Sequence, residues 1–289
     1  LSSKNKTSTA YLIDSTAFVL KYWFVIPPIK TKNYESVSAF MGFMNFVIKF
    51  LEENKPQRIC FAFDESLGTC FRNKLYKKYK YNRDMAPDEL KIQFQLSRKF
   101  LDLLGIKNFA SKEFEADDII YTIANINRKF SIINIIITND KDLYQIIEDD
   151  DIWWNLSNKK YRFNDLKKIL SFSPKKIPDF IGFAGDRVDG IPGAPGIGTK
   201  TATTLLEKFG SVEKVFDNLE KQRKSNVLSK RIEKILVDNK KIIYLSKKLA
   251  TLKYIDKFKE SSSISNRQKF NIKKIKKFLE NVGISKNQI

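Results

Sequence analysis

The chain has 289 residues, with 53 Lys and Arg against 33 Asp and Glu, a formal net charge of +20 and no histidine. A hydrophobic share of 42% with 23 Phe excludes a disordered chain, and the missing imidazole excludes Ser-His-Asp, Cys-His and His-ligated zinc chemistry. The basic excess suits a polyanionic partner such as nucleic acid, through phosphate neutralisation. Cys60 and Cys70 are too few for a disulfide framework or a Cys-only zinc site, so a reducing cytoplasm is the expected compartment. Residues 1–9 are polar without an apolar signal core, and no run approaches the roughly 18 apolar residues of a membrane span.

In chain order, residues 10–13 form a short apolar run that ends at Asp14 and reads as a buried strand. Helical periodicity follows over 37–51, then a second strand over 59–63 that ends at Asp64. From Phe71 to Met85 the segment FRNKLYKKYKYNRDM interleaves Lys and Arg with aromatics, a mixture suited to phosphates and bases. A helix is predicted over 90–104. The acids Glu115, Asp117 and Asp118 open another, over 116–128. A third strand over 133–137 runs through Thr138 and Asn139 into Asp140 and Asp142. The acidic run 148–151 reads as a solvated turn. After Pro174 come a helix over 175–184, the acids Asp186 and Asp189, a Gly-rich turn over 190–200 and a helix over 201–209. The remainder is helical and lysine-rich, with a flexible joint over 261–266 and an amphipathic helix over 272–282.

Strand–helix alternation argues for a parallel sheet whose ligands gather beyond the strand carboxyl ends, where Asp14, Asp64 and Asp140 fall. One such Asp is ordinarily a helix cap or turn residue. Three, beside two further acidic knots in a basic chain, call for a cation, because clustered carboxylates repel one another. Oxygen-only ligands suit Mg²⁺ or Mn²⁺, and water activated by such an ion removes the need for an imidazole base. Glycines before a helix let backbone N–H groups approach a phosphate. The turn is neither a Walker A loop nor a dinucleotide fingerprint.

The ordered set Asp14, Asp64, Glu115-Ala116-Asp117-Asp118, Thr138-x-Asp140-Lys141-Asp142 and Gly185-Asp186-x-x-Asp189-x-Ile191-Pro192-Gly193 resembles the structure-specific 5′-nuclease (flap endonuclease) family. The likeness to the 5′→3′ exonuclease domain of bacterial DNA polymerase I is particularly strong and runs from about Tyr11 to the C-terminus. It implies an α/β PIN-like core over 1–172, with a parallel central sheet flanked by helices and a helical arch at about 66–97. It also implies a helical DNA-binding subdomain over 173–289, with a helix–three-turn–helix (helix-hairpin-helix) element at about 175–209.

Carried over by position, Asp14, Asp64, Glu115, Asp117, Asp118, Asp140, Asp142, Asp186 and Asp189 are the implied metal-site acids for two or more Mg²⁺ (or Mn²⁺). The first four would surround the tighter ion, and Asp118, Asp140, Asp142 and Asp189 would hold or orient the second. Lys80 and Arg83 would act on the scissile phosphate. DNA contacts are implied for Lys21, Arg72, Lys77, Tyr79, Gly193, Gly196, Gly198, Thr199 and Lys200, with K⁺ at the hairpin turn. The implied substrate is DNA with a 5′ flap, nick or free 5′ end, RNA-primed ends included. Functional coupling to a DNA polymerase is implied as well, and a monomer is the plain expectation. No polymerase sequence follows Ile289, so a free-standing nuclease or an isolated domain is expected. The chain departs from the family pattern at Lys21 and Phe24, where Arg and His are common, at Asn139 for Gly, and at Gly190 for Asn. A non-catalytic junction-binding protein and an RNA-processing PIN-like nuclease stay open as alternatives.

Overall fold

In the computed structural model, residues 8–221, 228–258 and 270–284 are described, and the apolar runs that end in acid become the middle of one sheet. The strands are β1 (Thr9–Asp14), β2 (Arg58–Asp64), β3 (Lys107–Ser111), β4 (Ile133–Ile137), β5 (Ile152–Trp154) and β6 (Lys160–Tyr161). Their order is β3-β2-β1-β4-β5-β6, parallel throughout except for the antiparallel β5–β6 edge pair. Alternate residues of a strand face opposite sides. Phe61 and Phe63 accordingly join one buried cluster, while Cys60 and Ala62 join another. The sheet is therefore covered on both faces, as parallel sheets require.

The bulky face carries α1 (Ser15–Val25), α2 (Ser38–Asn54) and α4 (Asp88–Leu103). Helix α1 has no clear polar face and is not evident from periodicity; it follows the central strand β1 without a loop and turns the chain back over the sheet. Gly42 in α2 makes this possible, since a Cβ there would overlap the Tyr22 ring of α1. The opposite face carries α5 (Ala116–Lys129), and its buried cluster continues into the C-terminal helices α6 (Phe163–Leu170), α7 (Ile177–Ala184), α8 (Thr199–Phe209), α9 (Val212–Lys221), α10 (Lys230–Asp238) and α11 (Lys240–Ala250). Helices α7 and α11 lie side by side, with Gly182 so close that a Cβ would meet Lys247 Cβ at 3.1 Å.

Three expectations change, and one strand is new. The segment read as a helical arch over 66–97 divides in two. Helix α4 belongs to the core because Leu90, Leu96, Phe100 and Leu101 form one buried face, whereas 66–87 holds only the short α3 (Phe71–Leu75) and turns. Helix α12 (Ile272–Val282) does not stay with the C-terminal helices; Phe278 packs edge-on against Phe40 of α2 at 5.9 Å on the N-terminal core. The run 148–151 is not wholly solvated, since Asp151 is buried and bound to Arg128 and Asn134. Strand β3 was missed because Lys107, Asn108 and Ser111 make a polar edge strand. The joint expected over 261–266 lies outside the described residues. Among the described residues no helix is long and apolar enough to cross a membrane.

Candidate active site

The strand order reverses at β1, so a crevice opens beyond the carboxyl ends of β1 and β4, where α/β sheets bind ligands. Asp14 is the last residue of β1, Asp64 the last of β2, and Asp140 lies three residues beyond β4. Glu115 caps α5 and Asp117 sits in its first turn, while Asp142 opens a 3-10 turn after β4. Asp186 and Asp189 come from the loop after α7, which an Asp186–Ile191 bridge closes on itself. Local hydrogen bonds fix these side chains. Asp14 Oδ2 accepts the Thr138 hydroxyl at 3.0 Å, and that same oxygen of Thr138 accepts the Asp140 N–H at 2.9 Å. Asp64 Oδ1 accepts the N–H and hydroxyl of Ser66 at 2.9 and 2.8 Å, and the Asp64 N–H donates to Thr16 Oγ1 at 2.8 Å. Thr16 and Ser66 were not singled out from sequence, and Thr138 entered only as the first residue of a motif, with no role of its own. The only signal for them is a hydroxyl two residues from an acid, the spacing of an Asx or ST turn.

The acids share one field. Burial, then Asp140, then Asp64 raise the Asp14 carboxyl to about 6, against the partial relief of the Thr138 bond. Burial and then Asp140, Asp189 and Asp186 push Asp142 up to about 8. Asp117 is raised well above the usual carboxylate range by burial, Asp140 and Asp14, and Asp140 is raised by burial and Asp189. Asp140 keeps an exposed side chain at the mouth of the crevice, so the crowding there comes from its charged neighbours as well as from protein bulk.

The basic segment after β2 folds onto this field. Lys80 is buried, with its ammonium on Glu115 and 3.5 Å from Asp189, and Arg83 pairs with Asp189. Lys80 adopts a left-handed backbone at φ 51°, and its N–H donates to the Asp189 carbonyl at 2.9 Å. Gly190 permits this approach: φ is +67°, and a Cβ would stand 2.6 Å from the Lys78 carbonyl. Burial alone would raise Glu115, but Lys80 and Arg72 outweigh it and hold the carboxyl below its ordinary range.

Several expected roles shift with this geometry. Arg72 and Tyr79 do not face solvent and so offer no surface to DNA. Arg72 is 2% exposed and bound to Glu115 and Asp118, and the Tyr79 hydroxyl reaches Glu115 at 2.9 Å. All four acceptor directions of the Asp118 carboxylate are used, by Arg72 twice and by the N–H groups of Glu115 and Lys253, so it is not free to ligate an ion. Gly193 is buried with its N–H on Ser246 Oγ at 3.0 Å, and a Cβ there would overlap the Gly185 backbone. It shapes the hairpin rather than facing a phosphate. Gly196, Gly198, Thr199 and Lys200 are exposed at the start of α8, and Lys21 and Lys77 are exposed as well.

Among the described residues no three of these acids converge on a single ion position. They line a gathered field whose donor set, all carboxylate oxygen with repulsion raising Asp14, Asp117, Asp140 and Asp142, fits hard divalent cations.

A PIN-like α/β nuclease fold with an acid-lined switch point is the class these features define. Residues 9–172 match the family model described as 5′-3′ exonuclease, N-terminal resolvase-like domain, and residues 172–278 match 5′-3′ exonuclease, C-terminal SAM fold. The 5′-3′ exonuclease of Aquifex aeolicus is 35% identical over 217 residues, which is 74% of this chain and 74% of that one. That of Buchnera aphidicola subsp. Baizongia pistaciae is 36% identical over 244 residues, covering 84% of this chain and 80% of the other. DNA polymerase I of Bacillus subtilis is 31% identical over 280 residues, 95% of this chain but only 31% of the polymerase. Among solved structures, T5 5′-exonuclease with bound divalent metal ions (zinc) superposes with a TM-score of 0.68 at 16% identity, over 95% of this chain and 98% of that one. The catalytic core of Rad2 in complex with DNA substrate superposes at 0.62 and 18% identity, over 95% and 86%. The chain belongs to the 5′-3′ exonuclease family.

Proposed function

We propose that the chain is a divalent-metal-dependent 5′→3′ exonuclease and 5′-flap endonuclease that hydrolyses DNA phosphodiester bonds in replication and repair intermediates. The carrying observation is the acid field at the switch point, with Asp14, Asp117, Asp140 and Asp142 all raised by burial and one another. Asp14, Asp64, Glu115, Asp117, Asp140, Asp142, Asp186 and Asp189 would hold Mg²⁺ or Mn²⁺. Bound there, such ions supply a nucleophile at neutral pH and neutralise charge developing on the phosphate.

The remaining work falls to the protein. Lys80, buried against Glu115, and the exposed Arg83 on Asp189 border the acids, and an incoming phosphate would compete with those carboxylates for their charge. The N–H groups at the start of α8, with Lys200, offer an anion site to the duplex backbone, and the turn would also hold K⁺. The substrate is DNA with a 5′ flap, nick or free 5′ end, acted on by a monomer in the cytoplasm. Likeness to part of DNA polymerase I supports functional coupling to a polymerase.

The test is cleavage of a 5′-flap duplex and a single-stranded RNA with and without Mg²⁺, beside Asp117→Asn. Mg²⁺-dependent cutting of the flap alone, abolished by the substitution, is expected. Flap binding without hydrolysis would favour a pure junction binder, and preferential RNA cutting an RNA-processing nuclease.

A further inference from the structure

Arg72 lies under the active site, and the DNA-facing role does not account for it. Its guanidinium carries five N–H donors, and each finds an oxygen. Nε donates to the Leu249 carbonyl at 2.7 Å. Nη1 donates to Glu115 Oε2 and Asp118 Oδ2, both at 2.7 Å, and Nη2 to Asp118 Oδ1 at 2.8 Å and the Thr251 carbonyl at 3.2 Å. The Phe71 ring lies 4.5 Å beneath it. A planar fork can satisfy a carboxylate side-on and two carbonyls at once; a lysine ammonium cannot.

The partners come from three parts of the fold. Glu115 and Asp118 form the capping box of α5, the helix whose first turn also carries Asp117. Leu249 and Thr251 lie at the end of α11, which packs along α7 and whose Ser246 holds the Gly193 turn. Arg72 itself stands in the short α3 at the base of the segment that carries Lys80 and Arg83. Glu115 is held at one oxygen by Arg72 and Tyr79, which leaves Oε1 directed at the site, where Lys80 meets it.

We propose that Arg72 is a positioning residue for the metal-binding acids. It locks Glu115 so that a single oxygen faces the crevice, holds Asp118 as an anchor, and sets the start of α5 against the hairpin-bearing helices. This inference rests on the metal reading above. Outer partners that orient metal ligands are typically worth about 10- to 100-fold in metal affinity. Charge alone predicts the opposite sign, because removing a cation beside the acids should tighten divalent binding.

The experiment is Mn²⁺ binding to the DNA-free protein by electron paramagnetic resonance. It compares wild type, Arg72→Lys and the double variant Arg72→Met/Asp118→Asn, with flap-DNA binding measured in EDTA beside it. The double variant removes both buried charges together, so it carries the test should Arg72→Lys fail to fold. We expect Mn²⁺ affinity to fall about tenfold in the double variant and less in Arg72→Lys, with flap binding in EDTA within twofold of wild type. Wild-type or tighter Mn²⁺ binding in a folded variant overturns the proposal. So does weakened flap binding with normal Mn²⁺ affinity, which would make Arg72 a DNA contact. Absence of Mn²⁺ binding in wild type instead sinks the metal reading itself.

Discussion

Asp151 and Asp142 lie nine residues apart and are both crowded by protein, yet their environments differ. Asp151 Oδ1 accepts the Asn134 N–H and side-chain amide at 2.9 and 3.0 Å, while Oδ2 accepts the Glu148 N–H and Arg128 Nε, both at 3.1 Å. Asp142 faces Asp140, Asp189 and Asp186, and burial with that repulsion lifts it to about 8. A carboxylate with every lone pair taken holds the fold; one surrounded by its own kind is left with a repulsion that, on the proposed reading, a divalent cation would relieve. The same division separates Asp118, bound on all sides, from Asp117 one residue earlier.

The largest effect that would sharpen this contrast is on catalysis. Asp117→Asn and Asp140→Asn are expected to cut Mg²⁺-dependent flap cleavage on the order of 10²–10³-fold while leaving thermal stability equal or higher, since each removes repulsion. Asp151→Asn should do the reverse. It breaks a buried pair with Arg128 and is expected to cost about 2–3 kcal/mol of stability by urea unfolding, with cleavage per folded molecule retained.

Stability should also respond to pH through the raised acids. A carboxyl raised in the folded state binds its proton more tightly there than in the unfolded chain, so stability declines as pH rises through the folded value. With Asp14 at about 6 and Asp142 at about 8, melting temperature in chelator should drop between pH 5 and 8. Asp142→Asn should flatten the upper part of that slope, and Mg²⁺ should flatten all of it. A melting temperature that rises over this range in chelator would break the comparison. The smallest effect is expected at the exposed α8 start, where Lys200→Ala should lower the salt slope of flap binding by about one without changing cleavage at saturation.

Much of the site was legible because its acids are tied to features that sequence shows. Asp14, Asp64 and Asp140 end or follow apolar runs, and runs of that kind become central parallel strands. Helices 116–128 and 272–282 were legible from their periodicity, and the Gly-rich turn from its composition. What was not legible depended on partners far along the chain. Arg72 and Tyr79 sit in a segment rich in Lys, Arg and Tyr, and nothing local distinguishes them from exposed Lys77. Arg72 takes its polar partners from the distant carbonyls of Leu249 and Thr251 and the carboxylates of Glu115 and Asp118. Asp118 looked like Asp117 for the same reason. The boundary of the arch was misplaced because α4 has a polar outer face, while its buried face is visible only once the Phe40 side of the sheet is in place.

The most direct measurement is Mn²⁺ titration of DNA-free wild type, Asp140→Asn and Asp151→Asn, each under conditions where it is folded. The account predicts that Asp140→Asn loses about tenfold or more in affinity and that Asp151→Asn binds as wild type does. Equal losses in the two variants, or none in Asp140→Asn, would contradict the division between acids that hold the fold and acids that hold the metal.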